Sequence, residues 1–208
     1  MIKALIFDFD GVVTESVQLK SNAFADLYRP YGSDIVKKVV DHHETNGGMS
    51  RYEKIHLYHE SFLNKTITRK EIASLANQFS DLVVENVIAA PYVPGALEYI
   101  QKCCEQYKLF ISTGTPTEEI KQIIIGRKID HYFTAVFGSP DKKSTHLDQI
   151  ISTYQIKHSE AIFFGDSNTD LEAAEKAHIR FVLVKNQFNK KLVQSYDGQI
   201  ISDFVKFL

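Results

Sequence analysis

Two aspartates, Asp8 and Asp10, stand one residue apart directly after a short apolar run. In an extended chain, side chains alternate between two faces, so both carboxylates point the same way. If the run is a strand of a parallel sheet, the pair lies at its carboxyl end, where open α/β sheets bind ligands. One carboxylate could act as a nucleophile while the other transfers protons. An isolated pair is better explained as a surface turn, so its interpretation depends on the remaining motifs.

Hydroxyl groups follow a second apolar run, at Thr113 and Thr115. We predict Thr115 as the N-cap of a helix, because Pro116 suits the first helical position and Glu118 would complete a capping box. Thr113 then lies just ahead of a helix N-terminus, which is a natural place to bind phosphate oxygens. Taken alone, this motif could be nothing more than helix capping.

Two adjacent lysines, Lys142 and Lys143, precede a helix that we predict to begin near Ser144. A lysine at this position can neutralise a phosphoryl group and a carboxylate together. Lys143 is the preferred candidate, because its distance to the apolar Leu147 suits a position just before the helix. Lys142 remains the alternative, and a solvated surface lysine is the simpler explanation outside this context.

Two more acids, Asp166 and Asp170, follow another apolar run and a glycine. Asp166 is predicted at the strand end, with Asp170 one helical turn further on. Together with Asp8 and Asp10, they would place four carboxylates over one sheet edge. Such a cluster repels itself strongly unless a cation lies within it, and hard oxygen ligands favour Mg²⁺.

Short apolar runs separated by helical patterns indicate the elements that position these residues. The runs predict buried strands at residues 3–7, 108–112, 133–137, 161–164 and 181–184. Strands that alternate with helices are typical of a parallel sheet. The predicted fold class is therefore α/β, with a doubly wound, Rossmann-like parallel sheet.

The gap between the first two predicted strands is far longer than a crossover requires. Residues 8–107 lie between them, whereas parallel strands can be joined by about a dozen residues. Apolar residues at helical spacing, such as Phe24, Leu27 and Tyr28, predict that the excess is helical. We expect a helical cap domain at residues 16–90 inserted into a core domain formed by residues 1–15 and 91–208.

The four motifs, in this order and at these loop positions, resemble those of the haloacid dehalogenase superfamily of phosphohydrolases. The resemblance implies that Asp8 is the nucleophile, which forms an aspartyl phosphate, and that Asp10 is the general acid and base. It also implies that Mg²⁺ is bound by Asp8, the backbone carbonyl of Asp10 and Asp166, with Asp170 as a supporting residue. Dehalogenases of the superfamily lack the second acid of the first motif, so Asp10 favours phosphate chemistry.

Phosphate binding is assigned by the same resemblance to Thr113, Gly114 and Lys143, with Lys142 as the alternative lysine. Many relatives have a proline after this lysine, whereas this chain has Ser144. The lysine is therefore assigned from a motif that matches the family only in part, whereas the aspartates match their motifs.

An insertion directly after the first motif is similar to the helical cap of the branch that contains phosphoglycolate phosphatase and β-phosphoglucomutase. Such caps close over the site and exclude water. Within it, residues 46–54 resemble the substrate-facing loop of the β-phosphoglucomutase branch, which implies that Gly48, Arg51 and Lys54 select the substrate. A surface helix with both cations solvated explains the same residues equally well.

Three functions from different classes are compatible with these residues. The first is a phosphatase that acts on a small phosphorylated metabolite, such as a sugar phosphate. The second is a phosphomutase, in which the phosphoryl group returns from Asp8 to a sugar hydroxyl. The third is a binding protein that retains the fold without the catalysis, although no acid of the motifs is missing.

The bulk composition restricts the partners. The 24 basic and 26 acidic residues give a net charge of −2, and no basic stripe indicates nucleic acid as a partner. The apolar run at the start is too short for a signal sequence or a spanning helix. We expect a cytoplasmic protein, a monomer or homodimer, that binds neither membrane nor nucleic acid.

Overall fold

The computed structural model describes all 208 residues. Its centre is a parallel sheet of six strands in the order β3-β2-β1-β4-β5-β6. The strands are β1 (Ala4–Phe7), β2 (Lys108–Pro116), β3 (Ala135–Ser139), β4 (Ala161–Gly165), β5 (Arg180–Val184) and β6 (Gln199–Ile201). The chain winds outward from β1 in both directions, as the predicted doubly wound α/β fold requires.

Both faces of the sheet are buried, which explains why its strands are continuous apolar runs. Along β1, Leu5 and Phe7 belong to one buried cluster, and Ala4 and Ile6 belong to the other. All four are almost fully buried. The alternation of side chains along a strand thus supplies two hydrophobic layers.

The first four helices of the chain follow β1 directly. They are α1 (Val17–Tyr28), α2 (Ser33–Thr45), α3 (Arg51–Leu57) and α4 (Arg69–Ala89), and a π-helical turn follows α3 at Tyr58–Phe62. Phe24 and Tyr28 of α1 are buried in the same cluster as Phe79 of α4. We refer to α1–α4 as the inserted helices.

Five further helices cover the sheet. They are α5 (Ala96–Cys103), α6 (Thr117–Gly126), α7 (Lys143–Thr153), α8 (Asn168–Lys176) and α9 (Lys190–Ser195). Leu147 and Ile150 of α7 and Ala174 of α8 are fully buried against the second layer. No helix of the chain is both long and apolar enough to cross a membrane.

The structure corrects two of the predicted helix starts. The helix after β2 begins at Thr117, its N-cap is Pro116, and no side chain caps it. The predicted capping box of Thr115 and Glu118 is wrong, because β2 continues through Thr115 and its hydroxyl has other partners. The helix predicted from Ser144 begins at Lys143, which is thus the first helical residue and not the residue before the helix.

Strand boundaries also differ from the predicted ones. β3 begins at Ala135, since Phe133 ends a short 3-10 turn and its N–H bonds the carbonyl of Asp130. The sixth strand, β6, escaped prediction because it is short and only partly buried. Apolar runs identify the central strands of a sheet better than its edges.

Candidate active site

The carboxyl ends of three adjacent parallel strands meet at one edge of the sheet. Asp8 directly follows β1, Thr113 lies near the end of β2, and Asp166 directly follows β4. Lys143 starts the helix that follows β3. The four motifs therefore converge where open α/β sheets bind ligands.

Asp8 lies at the centre of this edge and is buried. Its Oδ1 accepts a hydrogen bond from the Phe9 N–H at 2.7 Å, and its Oδ2 lies 2.7 Å from Lys143 Nζ. Burial, helped by the nearby carboxylates of Asp170 and Asp10, raises the pKa of Asp8 to about 7 against the opposing charge of Lys143. A bound cation would favour the ionised form.

Lys143 links two of the acids. Its Nζ lies 2.5 Å from Asp170 Oδ1 as well as 2.7 Å from Asp8 Oδ2. Burial disfavours the ammonium, but Asp170 and Asp8 outweigh it and raise the pKa of Lys143. Lys142 is exposed and forms the N-cap of α7. Of the two candidate lysines, Lys143 is the one that reaches the site.

Three carboxylates are arranged as a metal site would require. Asp8, Asp166 and Asp170 each offer an oxygen, and these oxygens lie within 4.8 Å of one another. Burial, together with Asp8 and Asp170, raises the pKa of Asp166 well above its usual range. Only oxygen donors are present, and such a set suits a hard divalent cation such as Mg²⁺.

Two of these acids are held in place by hydrogen bonds. Asp166 Oδ2 accepts from Asn186 Nδ2 at 2.7 Å. Asp170, which is fully buried, caps α8 by accepting from the backbone N–H of Ser167 at 3.1 Å and from its hydroxyl at 2.5 Å. This capping box fixes Asp170 one turn from Asp166.

Asp10 has a different environment from Asp8. Its Oδ1 accepts from Ser16 Oγ at 2.6 Å, and its Oδ2 lies 2.5 Å from Lys20 Nζ and 3.3 Å from Thr115 Oγ1. Burial alone would raise the pKa of Asp10, but the charge of Lys20 and these hydrogen bonds lower it below its usual value. Two neighbouring carboxylates thus have pKa values displaced in opposite directions, so that Asp10 ionises more readily than Asp8 in the ligand-free geometry.

Close approach between the inserted helices and the sheet edge depends on two glycines. A Cβ atom on Gly114 would lie 2.7 Å from the carbonyl oxygen of Gly48. A Cβ on Gly48 would overlap Thr169 Oγ1 and lie 3.0 Å from Lys143 Nζ. The loop before α3 therefore touches the site directly, and Thr113, which is buried beside Gly114, faces the same space.

A cavity of about 50 Å³ lies between the inserted helices and the sheet edge. Asp8, Asp10 and Thr113 line it on the sheet side, and Phe24 and Lys54 line it on the other. A volume of this size holds a few water molecules. The inserted helices thus lie closed over the site.

Arg51 lines this cavity, yet its guanidinium is occupied. It forms a two-point ion pair with Glu119 of α6, with Nη1 2.8 Å from Oε2 and Nη2 bonded to Oε1. Nη1 also bonds Ser80 Oγ at 2.7 Å, and the guanidinium lies over the Phe79 ring. Arg51 and Glu119 are both buried, so this pair joins the inserted helices to the core helix α6.

Lys54 lies deeper in the same cavity and is only 1% exposed. Its Nζ donates to His43 Nδ1 at 2.8 Å and approaches the His43 carbonyl at 3.4 Å. Burial, with Lys20 and Lys143 nearby, lowers the pKa of Lys54 well below its usual value. Three residues of the inserted segment were singled out in the sequence. Gly48 approaches Gly114 of the core, Arg51 pairs with Glu119 of the core, and Lys54 faces the cavity.

Several residues of the site were not identified from the sequence. Lys20 and Ser16 hold Asp10, Glu119 holds Arg51, and Asn186 holds Asp166. Lys20 had a signal that could have been used, because it lies one helical turn before Phe24, where the predicted helical spacing begins. Asn186 and Glu119 had none, since their partners are distant in the sequence.

Comparisons with known proteins find a matching family model and relatives over most of the chain. A family model described as haloacid dehalogenase-like hydrolase matches residues 5–184. The chain is 27% identical to a phosphorylated carbohydrates phosphatase of Thermotoga maritima, over 86% of this chain and 82% of that protein. It is 26% identical to a phosphoglycolate phosphatase of Photorhabdus laumondii, over 85% and 77%.

Solved structures share the fold over the whole length. A β-phosphoglucomutase from Clostridium difficile superposes with a TM-score of 0.79 at 19% identity, over 100% of this chain and 94% of that one. A CbbY mutant from Rhodobacter sphaeroides, in complex with xylulose-(1,5)bisphosphate, gives a TM-score of 0.77 at 16% identity, over 98% and 95%. At these identities the likeness establishes the fold alone.

Proposed function

Because the chain belongs to the family of haloacid dehalogenase-like hydrolases, we propose that it is a magnesium-dependent phosphatase acting on a small phosphorylated metabolite. The proposal rests mainly on one observation. Asp8 is buried between Lys143 and two further carboxylates, Asp166 and Asp170. This arrangement can make a carboxylate a nucleophile toward a phosphate ester while its charge is balanced.

In the first step, a carboxylate oxygen of Asp8 attacks phosphorus, and the bond from phosphorus to the ester oxygen breaks. Asp10 gives its proton to the departing oxygen, which leaves as an alcohol. In the ligand-free geometry Lys20 holds Asp10 ionised, because the pKa of Asp10 is lowered. A phosphate ester in its monoanionic form can bring the required proton, since its second pKa is about 6.

In the second step, water attacks the phosphorus of the aspartyl phosphate and the bond to Asp8 breaks. Asp10, now ionised, accepts the proton of that water, and inorganic phosphate leaves. The contacts of Asp10 with Ser16, Lys20 and Thr115 would hold its carboxylate in position through both steps. Lys143, with Thr113 and Gly114, would bind the phosphoryl oxygens as the negative charge shifts.

A Mg²⁺ ion would be held by Asp8, the backbone carbonyl of Asp10 and Asp166, with Asp170 supporting Lys143 and the strand end. When bound, it supplies charge neutralisation for both Asp8 and the phosphoryl group. The raised pKa values of Asp8 and Asp166 support this proposal, because both shifts arise largely from burial and mutual repulsion that a cation would relieve.

The inserted helices act in this proposal as a cap, residues 16–90, over the core formed by 1–15 and 91–208. Gly48, Arg51 and Lys54 would then select the substrate. The small closed cavity supports a substrate of metabolite size, since a polymer could not be enclosed. The cap must open to admit it, and closing it excludes water other than the attacking molecule.

Phosphate release from a broad panel of phosphorylated metabolites tests the proposal. The native chain, Asp8→Asn and the control Asp148→Asn, which changes an exposed aspartate of α7, are compared with and without Mg²⁺. We expect magnesium-dependent release by the native chain and the control, and none by Asp8→Asn. Isomerised sugar phosphates that appear without free phosphate would identify a mutase instead, and release that persists in Asp8→Asn would refute the role of Asp8.

A further inference from the structure

Four lysine or arginine side chains of this chain are buried: Lys20, Arg51, Lys54 and Lys143. The first three line the cavity described above, and the fourth contacts Asp8 at its wall. Burying a charge is costly unless an opposite charge accompanies it. Three of the four satisfy this condition. Lys20 pairs with Asp10, Arg51 with Glu119, and Lys143 with Asp8 and Asp170.

Lys54 is the exception, because no carboxylate lies within ion-pair distance of its Nζ. Its partners are the ring nitrogen and the carbonyl of His43, both neutral acceptors. Glu44, which also lines the cavity, forms no ion pair with it. An ammonium carries three N–H donors, so one donor of Lys54 remains for an occupant of the cavity.

The surroundings of Lys54 make its charge unfavourable in the absence of an anion. Burial and the cations Lys20 and Lys143 lower its pKa, and Asp10 compensates only in part. His43 is itself buried, packs on the Phe24 ring, and has a lowered pKa, so it accepts from Lys54 as a neutral ring. An arriving anion would supply the missing counter-charge.

We propose that Lys54, oriented by His43, is the binding group for a second anionic group of the substrate, a carboxylate or a second phosphate, remote from the phosphoryl group that is transferred. This inference rests on the proposed phosphatase function and narrows its substrate class. Arg51 does not share the role in the closed state, since Glu119 neutralises it. The enzyme therefore prefers small phosphate esters that carry a second anionic group over phosphate esters of neutral alcohols.

Three probes of similar size test the inference. Phosphoglycolate carries a carboxylate, ethylene glycol bisphosphate carries a second phosphate, and hydroxyethyl phosphate carries a neutral hydroxyl. We expect the native enzyme with Mg²⁺ to have a kcat/KM about 100-fold higher for at least one anionic probe than for the neutral one, as expected for a buried charge pair. Which anionic probe is preferred decides between carboxylate and phosphate.

The variant Lys54→Met keeps the length of the side chain and removes its charge. We expect the ratio of kcat/KM between the preferred anionic probe and the neutral probe to fall to near one. The control Lys38→Met, an exposed lysine of α2, should keep the native ratio. Because Lys54→Met removes an uncompensated buried charge, its Tm without ligand should rise, whereas a lysine that merely supports the fold would give a lower Tm.

Affinity measurements distinguish a failure of this inference from a failure of the proposed phosphatase function. Calorimetry measures the affinity of each probe for Asp8→Asn protein, with and without the additional Lys54→Met change. Loss of about 100-fold in affinity for the anionic probe alone supports the inference even if no ester is hydrolysed. Equal kcat/KM or affinity for the neutral and anionic probes in the native chain, or a ratio unchanged by Lys54→Met, overturns it.

Discussion

Replacing Lys143 with alanine removes the only cation that contacts both Asp8 and Asp170. Its Nζ lies 2.7 Å and 2.5 Å from their oxygens, and its side chain is 4% exposed. Breaking a buried ion pair by deleting one partner costs about 3–5 kcal/mol, because the remaining charge stays buried. We therefore expect Lys143→Ala to lower the free energy of unfolding by about that amount when Mg²⁺ is absent. Mg²⁺ should reduce the deficit, because it neutralises the same carboxylates.

The loss of stability should also depend on pH in a defined direction. Burial already raises the pKa of Asp8 to about 7, from a usual value of 3.8. Without Lys143 the folded-state pKa rises further, so the extra loss of stability relative to the native chain develops from about pH 7 up to this higher pKa, where the native Asp8 is ionised and that of the variant still holds its proton. At pH 6 Asp8 is protonated and the variant loses less stability, whereas at pH 8 it loses more. Urea unfolding at the two pH values measures the difference.

Activity provides the second half of the test. Loss of a preorganised group that stabilises developing charge usually costs about 100- to 1000-fold in kcat. Lys143→Ala should show a loss of that size, while Lys142→Ala, which changes an exposed residue, should stay within about threefold and about 0.5 kcal/mol of the native chain. Equal, small losses in both variants would refute the assignment of Lys143.

Three further predictions follow from contacts within the site. Gly48→Ala should reduce kcat/KM about 100-fold, because its Cβ would overlap Thr169 Oγ1 and keep the inserted helices from closing over the site. Adding Thr169→Ala should restore part of the lost kcat/KM, and a double variant as slow as Gly48→Ala would contradict the steric explanation. Asn186→Ala should weaken Mg²⁺ binding about 10- to 100-fold in calorimetry, because it removes the 2.7 Å hydrogen bond that Asn186 Nδ2 donates to Asp166. An unchanged Mg²⁺ affinity would show that Asn186 does not orient Asp166 for the metal. Mg²⁺ affinity of the native chain should increase as pH rises through about 7, since Asp8 must lose its proton to bind the metal; a flat profile would argue against Asp8 as a ligand.

The strand ends could be predicted because their signals are local. An apolar run that stops at an acid or a hydroxyl places Asp8, Thr113 and Asp166 at the carboxyl end of a strand without any knowledge of its neighbours. Parallel winding then brings these ends together. The predicted doubly wound α/β fold is confirmed, since the sheet has the strand order that this winding produces.

Partner choice between distant elements could not be predicted in the same way. Thr115 has the sequence context of an N-cap, yet its hydroxyl lies against Asp10 and Lys20, and β2 continues past it. Arg51 lines the cavity as a substrate-selecting residue should, but its pairing with Glu119 of α6 could not be predicted. These pairings depend on how α1 and α3 pack against the core. Residue propensities and sequence spacing do not determine that packing.

The most direct test of the proposed mechanism is the covalent state of Asp8 during turnover. A phosphate ester that the native chain hydrolyses is labelled with radioactive phosphorus and mixed with the native chain and Mg²⁺. The reaction is quenched rapidly in acid, and the protein is digested. We predict that label is recovered on the peptide containing Asp8, that hydroxylamine releases it as expected for an acyl phosphate, and that Asp8→Asn carries none. Turnover by the native chain with no protein-bound label, or label on Asp8→Asn, would contradict transfer through Asp8.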